Sequence, residues 1–370
     1  MTRSILITGV SGYIGGAIVA EVLEAQQNND LSGWRIAGLV RSEAQAAKIR
    51  SLSPVEPIVV SDFDELDKLE EIAQGFDVII HAGAGWHTAS ARAFLRGLAI
   101  GKRNRAGHRH PHYIQISGTS NLSDRPHSAN FIEDHIFSDA EDDIFAYEKA
   151  REAREVYYQR TTDIAVVELG EELGIPTHIV MAPTIFGLSK GLFNRFSVQL
   201  PAIIADAVTT GQVKVLGDGQ TVWTHVHIDD LARFFVVLLQ HIADEDVSRE
   251  IPSGRRGIYF CESGQHTHHE FSQRLADAGV ELGIFKSAEL ASVSVQEAAD
   301  AWAGGNAARV ELSFGANARC KAVLARQLGW IPKHEKKWAE TFHIELQEYV
   351  ERPPDPKTLP LVMQKKKTST

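Results

Sequence analysis

The chain has 370 residues, 44% of them hydrophobic, and a formal net charge of −10. That length can bury a full core and exceeds one ordinary domain, while the acidic balance implies no strongly basic face and argues against nucleic acid as the main partner. There are two cysteines, Cys261 and Cys320, at no disulfide-framework or metal spacing, and no apolar run of about 18 residues, so a cytoplasmic enzyme without a membrane span is expected.

The first strand reads as Ser4-Ile5-Leu6-Ile7, early enough that no secretory leader is expected before it. Thr8-Gly9-Val10-Ser11-Gly12-Tyr13-Ile14-Gly15 follows at once and leads into an apolar-periodic helix over residues 17–24. Strand, glycine loop and helix in that order make a dinucleotide site. Gly9 suits the tight turn, Gly12 lets backbone approach a pyrophosphate, and Gly15 lets the helix pack closely, with phosphates on the free N–H groups of the helix start. The plainer reading is an ordinary glycine turn.

Residues 35–40, 57–60, 77–81, 113–116 and 177–181 read as five further strands, separated by charged helical segments. This βαβ rhythm predicts an α/β fold, a doubly wound parallel sheet of Rossmann type. After Pro183 the rhythm breaks. Residues 1–185, completed by about 212–243, are assigned to the nucleotide domain, 186–211 and 244–350 to a smaller C-terminal α/β substrate-binding region, and 351–370 to a flexible tail. The basic stretch 101–112, with Lys102, Arg103, Arg105 and Arg109, reads as a helix end and its loop. Thr267-His268-His269-Glu270 reads as a capping box, with His266, His268 and His269 facing solvent. His225 and His227 alternate on a strand ahead of Asp229 and Asp230; a metal could use them, but with no spaced third ligand group a packed corner is preferred and no metal is expected.

Several segments together carry a family resemblance: the loop 8–15, Ser61-Asp62-Phe63, His81-Ala82-Gly83-Ala84, Ala182-Pro183-Thr184-Ile185-Phe186-Gly187, the segment 226–232, and Leu328-Gly329-Trp330-Ile331-Pro332. In them the chain resembles the extended short-chain dehydrogenase/reductases, the group that includes the NAD-dependent epimerases and dehydratases. Ser117-Gly118-Thr119 and Gly191-Leu192-Phe193-Asn194 are similar to an atypical fungal branch, the nitrogen-repression-regulator-like proteins. The resemblance implies a cofactor lying along Thr8, Gly9, Gly12, Tyr13, Ile14, Gly15, Phe63, His81, Ala82, Gly83, Pro183 and Thr184. It also implies Asp62 at the adenine amino group, and a homodimer through the helices after strands four and five. The plainer reading of Asp62 is a helix N-cap ahead of Glu65.

Strand two ends in Leu39-Val40-Arg41-Ser42. A carboxylate there would select NAD; Arg41 can instead hold a 2′-phosphate, so NADP is expected over NAD, unless Arg41 is simply solvated beside Glu43. Members of the family that move hydride carry Tyr-x-x-x-Lys on the helix after strand five, and the best match here is Tyr147-Glu148-Lys149-Ala150-Arg151. Arg151 would take the lysine's place one turn from Tyr147 and favour tyrosinate, whereas Lys149 points away. Ser117 or Thr119 would hydrogen-bond a substrate carbonyl. Trp86, His87, Phe186, Phe193 and Trp223 are candidates either for pocket walls or for core. The expected function is an NADP-dependent oxidoreductase acting on a small carbonyl or alcohol. A cofactor-retaining epimerase or dehydratase, and a non-catalytic nucleotide sensor with a protein partner, are the alternatives.

Overall fold

The structure is a computed structural model, and it describes residues 3–104, 110–128, 131–244 and 251–354. Arg105, Arg109 and most of the expected tail lie outside the described residues. The first twelve strands in chain order are β1 (Ser4–Thr8), β2 (Arg35–Val40), β3 (Glu56–Val59), β4 (Val78–His81), β5 (His112–Gly118), β6 (Phe137–Ser138), β7 (Thr177–Ala182), β8 (Thr184–Phe186), β9 (Lys214–Leu216), β10 (Val222–His227), β11 (Ile258–Phe260) and β12 (Gly264–Thr267). The first nine helices are α1 (Tyr13–Gln27), α2 (Glu43–Leu52), α3 (Leu66–Ala73), α4 (Thr88–Asn104), α5 (Ile144–Glu152), α6 (Tyr158–Leu173), α7 (Gln199–Thr210), α8 (Ile228–Ala243) and α9 (His268–Glu281).

Seven strands form one parallel sheet in the order β11-β7-β5-β4-β1-β2-β3. Ile5, Leu6 and Ile7 are wholly buried, as expected for strands covered on both faces and therefore apolar at successive positions. The strand order reverses between β1 and β4, which opens a crevice above their carboxyl ends. The sequence reading closed the sheet at six strands; β11, three buried residues long, adds the seventh beside β7.

The connection from β5 to β7 contains two helices, not one. Asp143 caps α5 by accepting the Ala146 N–H at 2.9 Å. The chain then turns through residues 153–157, and α6 starts level with the carboxyl end of β5, where Gln159 reaches back to Ser117. Among the described residues the C-terminal region has its own core, built around Phe186, Ile203, Phe271, Trp302 and Phe342. A small sheet of β12, β10 and β8 borders it. Asp124, fully buried, ties the loop after β5 to this region by accepting from the backbone N–H and the side chain of Asn317 at 2.7 and 2.9 Å. No helix among the described residues is long and apolar enough to cross a membrane.

Candidate active site

At the β1–α1 turn Gly9 has φ +69°, and a Cβ there would stand 2.7 Å from the Ala82 carbonyl oxygen. Neither the conformation nor the space admits a side chain, so the loops after β1 and β4 lie against each other. Gly12 differs: a Cβ there would touch only the Gly9 oxygen, at 3.1 Å, and its other side is open. Gly12 is also the N-cap of α1 and supplies no side-chain cap, so first-turn N–H groups stay available. An open glycine on an uncapped helix start fits a diphosphate.

The side chains around this cradle divide into two kinds. Thr8 and His81 are spent inside the protein. Thr8 Oγ1 meets His81 Nδ1 at 2.7 Å and accepts the Gly83 N–H at 3.1 Å, while His81 Nε2 meets Ser90 Oγ at 3.2 Å. Burial pushes His81 down to about 3, so the ring is neutral and pins β1, β4 and α4 together. Tyr13, likewise buried, donates to the Gly187 carbonyl at 2.6 Å. Phe63 packs edge-on against His81, with ring centroids 5.2 Å apart. Arg41, by contrast, is exposed at the end of β2, and its guanidinium makes no hydrogen bond or ion pair among the described residues. Asp62 is exposed and accepts the Asp64 N–H at 3.0 Å; the N-cap of α3 is Glu65, so Asp62 is not a helix cap.

Tyr147, the best match to the family's Tyr-x-x-x-Lys, meets neither Ser117 nor Thr119. Tyr147 lies on α5, donates to Glu133 at 3.3 Å and packs on Phe137 with centroids 4.5 Å apart. Its hydroxyl is pushed up to about 12, chiefly by burial, with Arg151 acting in the opposite sense and Glu133 adding to the rise. The expected preference for tyrosinate is therefore overridden by desolvation. Arg151 is buried, donates to the Ser123 carbonyl at 3.2 Å and stacks on Phe131 at 4.0 Å. Ser117 donates to Asp163, and Thr119 is fully buried with no partner for its hydroxyl among the described residues.

A different pair stands at the carboxyl end of β5. Tyr157 Oη and Ser120 Oγ meet at 3.1 Å, and both groups are half-buried. Tyr157 also lies 3.4 Å from Gln159 Oε1, and Gln159 Nε2 donates to Ser117 at 3.2 Å. The sequence reading passed over Tyr157. Its one signal is position, just ahead of the helix that runs into β7. Behind Ser117, Asn121 Nδ2 donates to both Glu148 Oε1 and Asp163 Oδ2 at 2.7 Å. Burial raises both carboxyls well above their usual range, and proximity to Asp163 raises Glu148 further.

In the C-terminal region, Thr184, Trp223, His266, His268, Phe271 and Phe314 help line a small pocket with room for little more than a water molecule. His266 and His268 are buried rather than solvent-facing, and burial holds both imidazoles neutral; His269 alone of the three is exposed. Thr267 caps α9 by accepting the Glu270 N–H at 3.0 Å, but Glu270 turns to Arg274 instead of closing the box. Phe186 is core, Trp86 is exposed, Phe193 lies under Lys48 at 4.6 Å, and His87 meets Asp64 at 3.1 Å. His227, Asp229 and His334 bring three potential ligand atoms within 4.8 Å of one another. Internal contacts already engage them: His227 Nδ1 accepts the Asp229 N–H, Lys190 sits 3.3 Å from Asp229, and Asp230 holds His334 at 2.8 Å. Asp230 also accepts the Trp330 indole N–H through its carbonyl, which anchors the late Leu-Gly-Trp-Ile-Pro segment.

A model of the NAD dependent epimerase/dehydratase family matches residues 5–110 and 136–251. The Acremonium protein named oxidase ucsJ is 28% identical over 345 residues, covering 90% of this chain and 93% of that one. An uncharacterized protein of Saccharomyces cerevisiae is 26% identical over 244 residues, 64% of this chain and 70% of its own. Among solved structures, the dTDP-glucose 4,6-dehydratase DesIV of Streptomyces venezuelae, with NAD and TYD bound, is similar in fold: TM-score 0.64, 17% identity, covering 95% of this chain and 98% of that one. The UDP-glucose 4-epimerase of Thermotoga maritima is similar with a TM-score of 0.60 and 14% identity, covering 94% and 99%.

Proposed function

As the chain belongs to the NAD-dependent epimerase/dehydratase family, we propose that it is an NAD(P)-dependent oxidoreductase that reduces a small carbonyl, or oxidises the corresponding alcohol, with Tyr157 as the proton-transfer group. The observation that carries this reading is the 3.1 Å contact of Tyr157 with Ser120, at the sheet edge that also holds the open Gly12 cradle. When bound, a nicotinamide dinucleotide supplies the hydride. The chain's own part is acid–base and positional. Ser120 orients the carbonyl oxygen, and Tyr157 gives that oxygen its proton as the carbon is reduced. Gln159 keeps Tyr157 facing Ser120, and the Gly12 backbone with the first-turn N–H groups of α1 holds the diphosphate. The exposed guanidinium of Arg41, with no partner among the described residues, favours NADP over NAD. The test is to follow NADPH and NADH absorbance against a panel of ketones, aldehydes and quinones. Consumption that disappears in Tyr157→Phe supports the reading, and no consumption with any of them overturns it.

One observation favours the hydride-recycling alternative, an epimerase or dehydratase that keeps its cofactor. The segment 187–197 lies over the start of α1: the Asn194 N–H donates to the Ser11 carbonyl at 3.3 Å, and Lys48 of α2 donates to the Leu192 carbonyl at 2.7 Å. A strap so placed would slow cofactor exchange. Native mass spectrometry of freshly purified protein separates the two: retained oxidised NAD supports recycling, exchangeable NADP the reductase.

A further inference from the structure

Asp163, on α6, is wholly buried. Its Oδ2 accepts from the Ser117 hydroxyl and, at 2.7 Å, from Asn121 Nδ2, while Oδ1 has no hydrogen-bond partner among the described residues. A buried carboxyl group with one oxygen unanswered costs stability, so packing α6 on the sheet gives no reason for one here. What the carboxyl does supply is a fixed acceptor for Ser117.

That acceptor sets the direction of the bonds beyond it. Ser117 has one hydrogen to give, and with it committed to Asp163 the hydroxyl can only accept from its other neighbours. An amide nitrogen satisfies it and an amide oxygen does not. Gln159 Nε2 takes that place at 3.2 Å, and Gly118 leaves the room, since a Cβ there would stand 3.0 Å from Nε2. The other end of the amide is thereby decided. Gln159 Oε1 lies 3.4 Å from Tyr157 Oη and 3.5 Å from Ser120 Oγ, a single fixed acceptor on which both hydroxyls converge. Contacts of that length steady the pair and are weak enough to be given up to a substrate oxygen. Without Asp163 the Ser117 hydrogen is free to meet Oε1, the amide can turn over, and the two hydroxyls lose their common acceptor.

We infer that Asp163 is a positioning residue for Tyr157, acting through Ser117 and Gln159, and that Ser117 is a link in this chain instead of a contact to substrate. The inference rests on the reading of Tyr157 as the proton-transfer group. The probe is p-nitrobenzaldehyde with NADPH and the full chain. Asp163→Ala should lower kcat roughly fivefold to thirtyfold while KM and NADPH affinity stay within about twofold. Asp163→Asn still offers Ser117 an oxygen and should restore most of the loss. On a Gln159→Leu background Asp163→Ala should lower kcat no further, because the link through which it acts is already gone. Equal losses in Asp163→Ala and Asp163→Asn, or losses that multiply in the double variant, overturn the inference. If Asp163→Ala does not fold, Ser117→Ala cuts the same chain by removing one hydroxyl, and the same cycle with Gln159→Leu decides.

Should the unmodified protein leave p-nitrobenzaldehyde unreduced, or Tyr157→Phe reduce it as fast, the reading of Tyr157 loses its support and the chain is judged without turnover. In protein isotope-labelled at tyrosine Cζ, the Tyr157 nuclear magnetic resonance signal is identified by its absence in Tyr157→Phe. It should move in Asp163→Ala, return in Asp163→Asn, and move no further when Asp163→Ala is added to Gln159→Leu. A signal that Asp163→Ala leaves in place, or that moves again in the double variant, overturns the inference.

Discussion

The hydroxyls of Tyr157 and Ser120 meet at 3.1 Å, while Tyr147, which helical spacing favours, turns to Glu133 at 3.3 Å. The two tyrosines lie on either side of the break between α5 and α6, and only Tyr157 stands beside the end of β5. If Tyr157 transfers the proton, Tyr157→Phe should leave cofactor affinity nearly unchanged and lower turnover by about a hundred- to ten-thousandfold. Tyr147→Phe loses a single hydrogen bond and should cost about 1 kcal/mol of stability with turnover within a few-fold. Steady-state kinetics of both variants decide between them, and the reverse pattern would return the role to Tyr147.

Cofactor choice should depend on Arg41. An exposed guanidinium can give a 2′-phosphate charge-assisted hydrogen bonds worth about 1.5–3 kcal/mol, so NADPH should bind roughly ten- to a hundredfold more tightly than NADH. Arg41→Asp should erase or reverse the difference. Calorimetry with both nucleotides measures it; equal affinities in the unmodified protein would remove Arg41 from the site.

Gly12→Val tests the cradle. Gly12 has φ −90°, which valine tolerates, and the added Cβ would touch only the Gly9 oxygen at 3.1 Å. The fold should survive while the branched side chain fills the space a diphosphate needs. Circular dichroism unchanged with nucleotide binding lost is the expected result. Binding retained on an intact fold would place the phosphates elsewhere.

Glu345 couples pH to the strap. Its carboxylate accepts the Gly187 N–H at 2.7 Å and the Thr341 hydroxyl at 2.9 Å, and burial pushes it up to about 7. The folded-state value lies above the unfolded one, so the contribution to stability is full below the unfolded value near 4.5 and is lost as pH rises through about 7. Glu345→Gln removes that dependence. Relative to the unmodified protein it should gain up to about 3 kcal/mol between pH 4 and pH 8. Denaturant unfolding at the two pH values checks this, and a difference independent of pH would mean that Glu345 titrates alike in the folded and unfolded states.

Much of the architecture is legible in local patterns. Parallel strands buried on both faces read as unbroken apolar runs, and β1, β2, β4, β5 and β7 stand within a residue or two of the positions their sequences suggest. The glycine loop is equally plain, because φ +69° at Gly9 and the close approach of Ala82 are demands on backbone that only one residue type meets. β11 escaped because three apolar residues in a loop-rich stretch carry no period.

What the sequence by itself determined is therefore most of the sheet, its crevice and the tight glycine turn after β1, all of which follow from periodicity and backbone freedom along the chain. What only the tertiary structure decided is which polar side chains share a site. No glycine or proline marks the turn at residues 153–157, so no local pattern shows that the connection from β5 to β7 breaks into two helices or that Tyr157 meets Ser120. The burial of His81, His266 and His268 was hidden for a related reason. An imidazole reads as polar in a sequence, and only neighbours brought from distant strands supply the partners and the desolvation that keep it neutral inside.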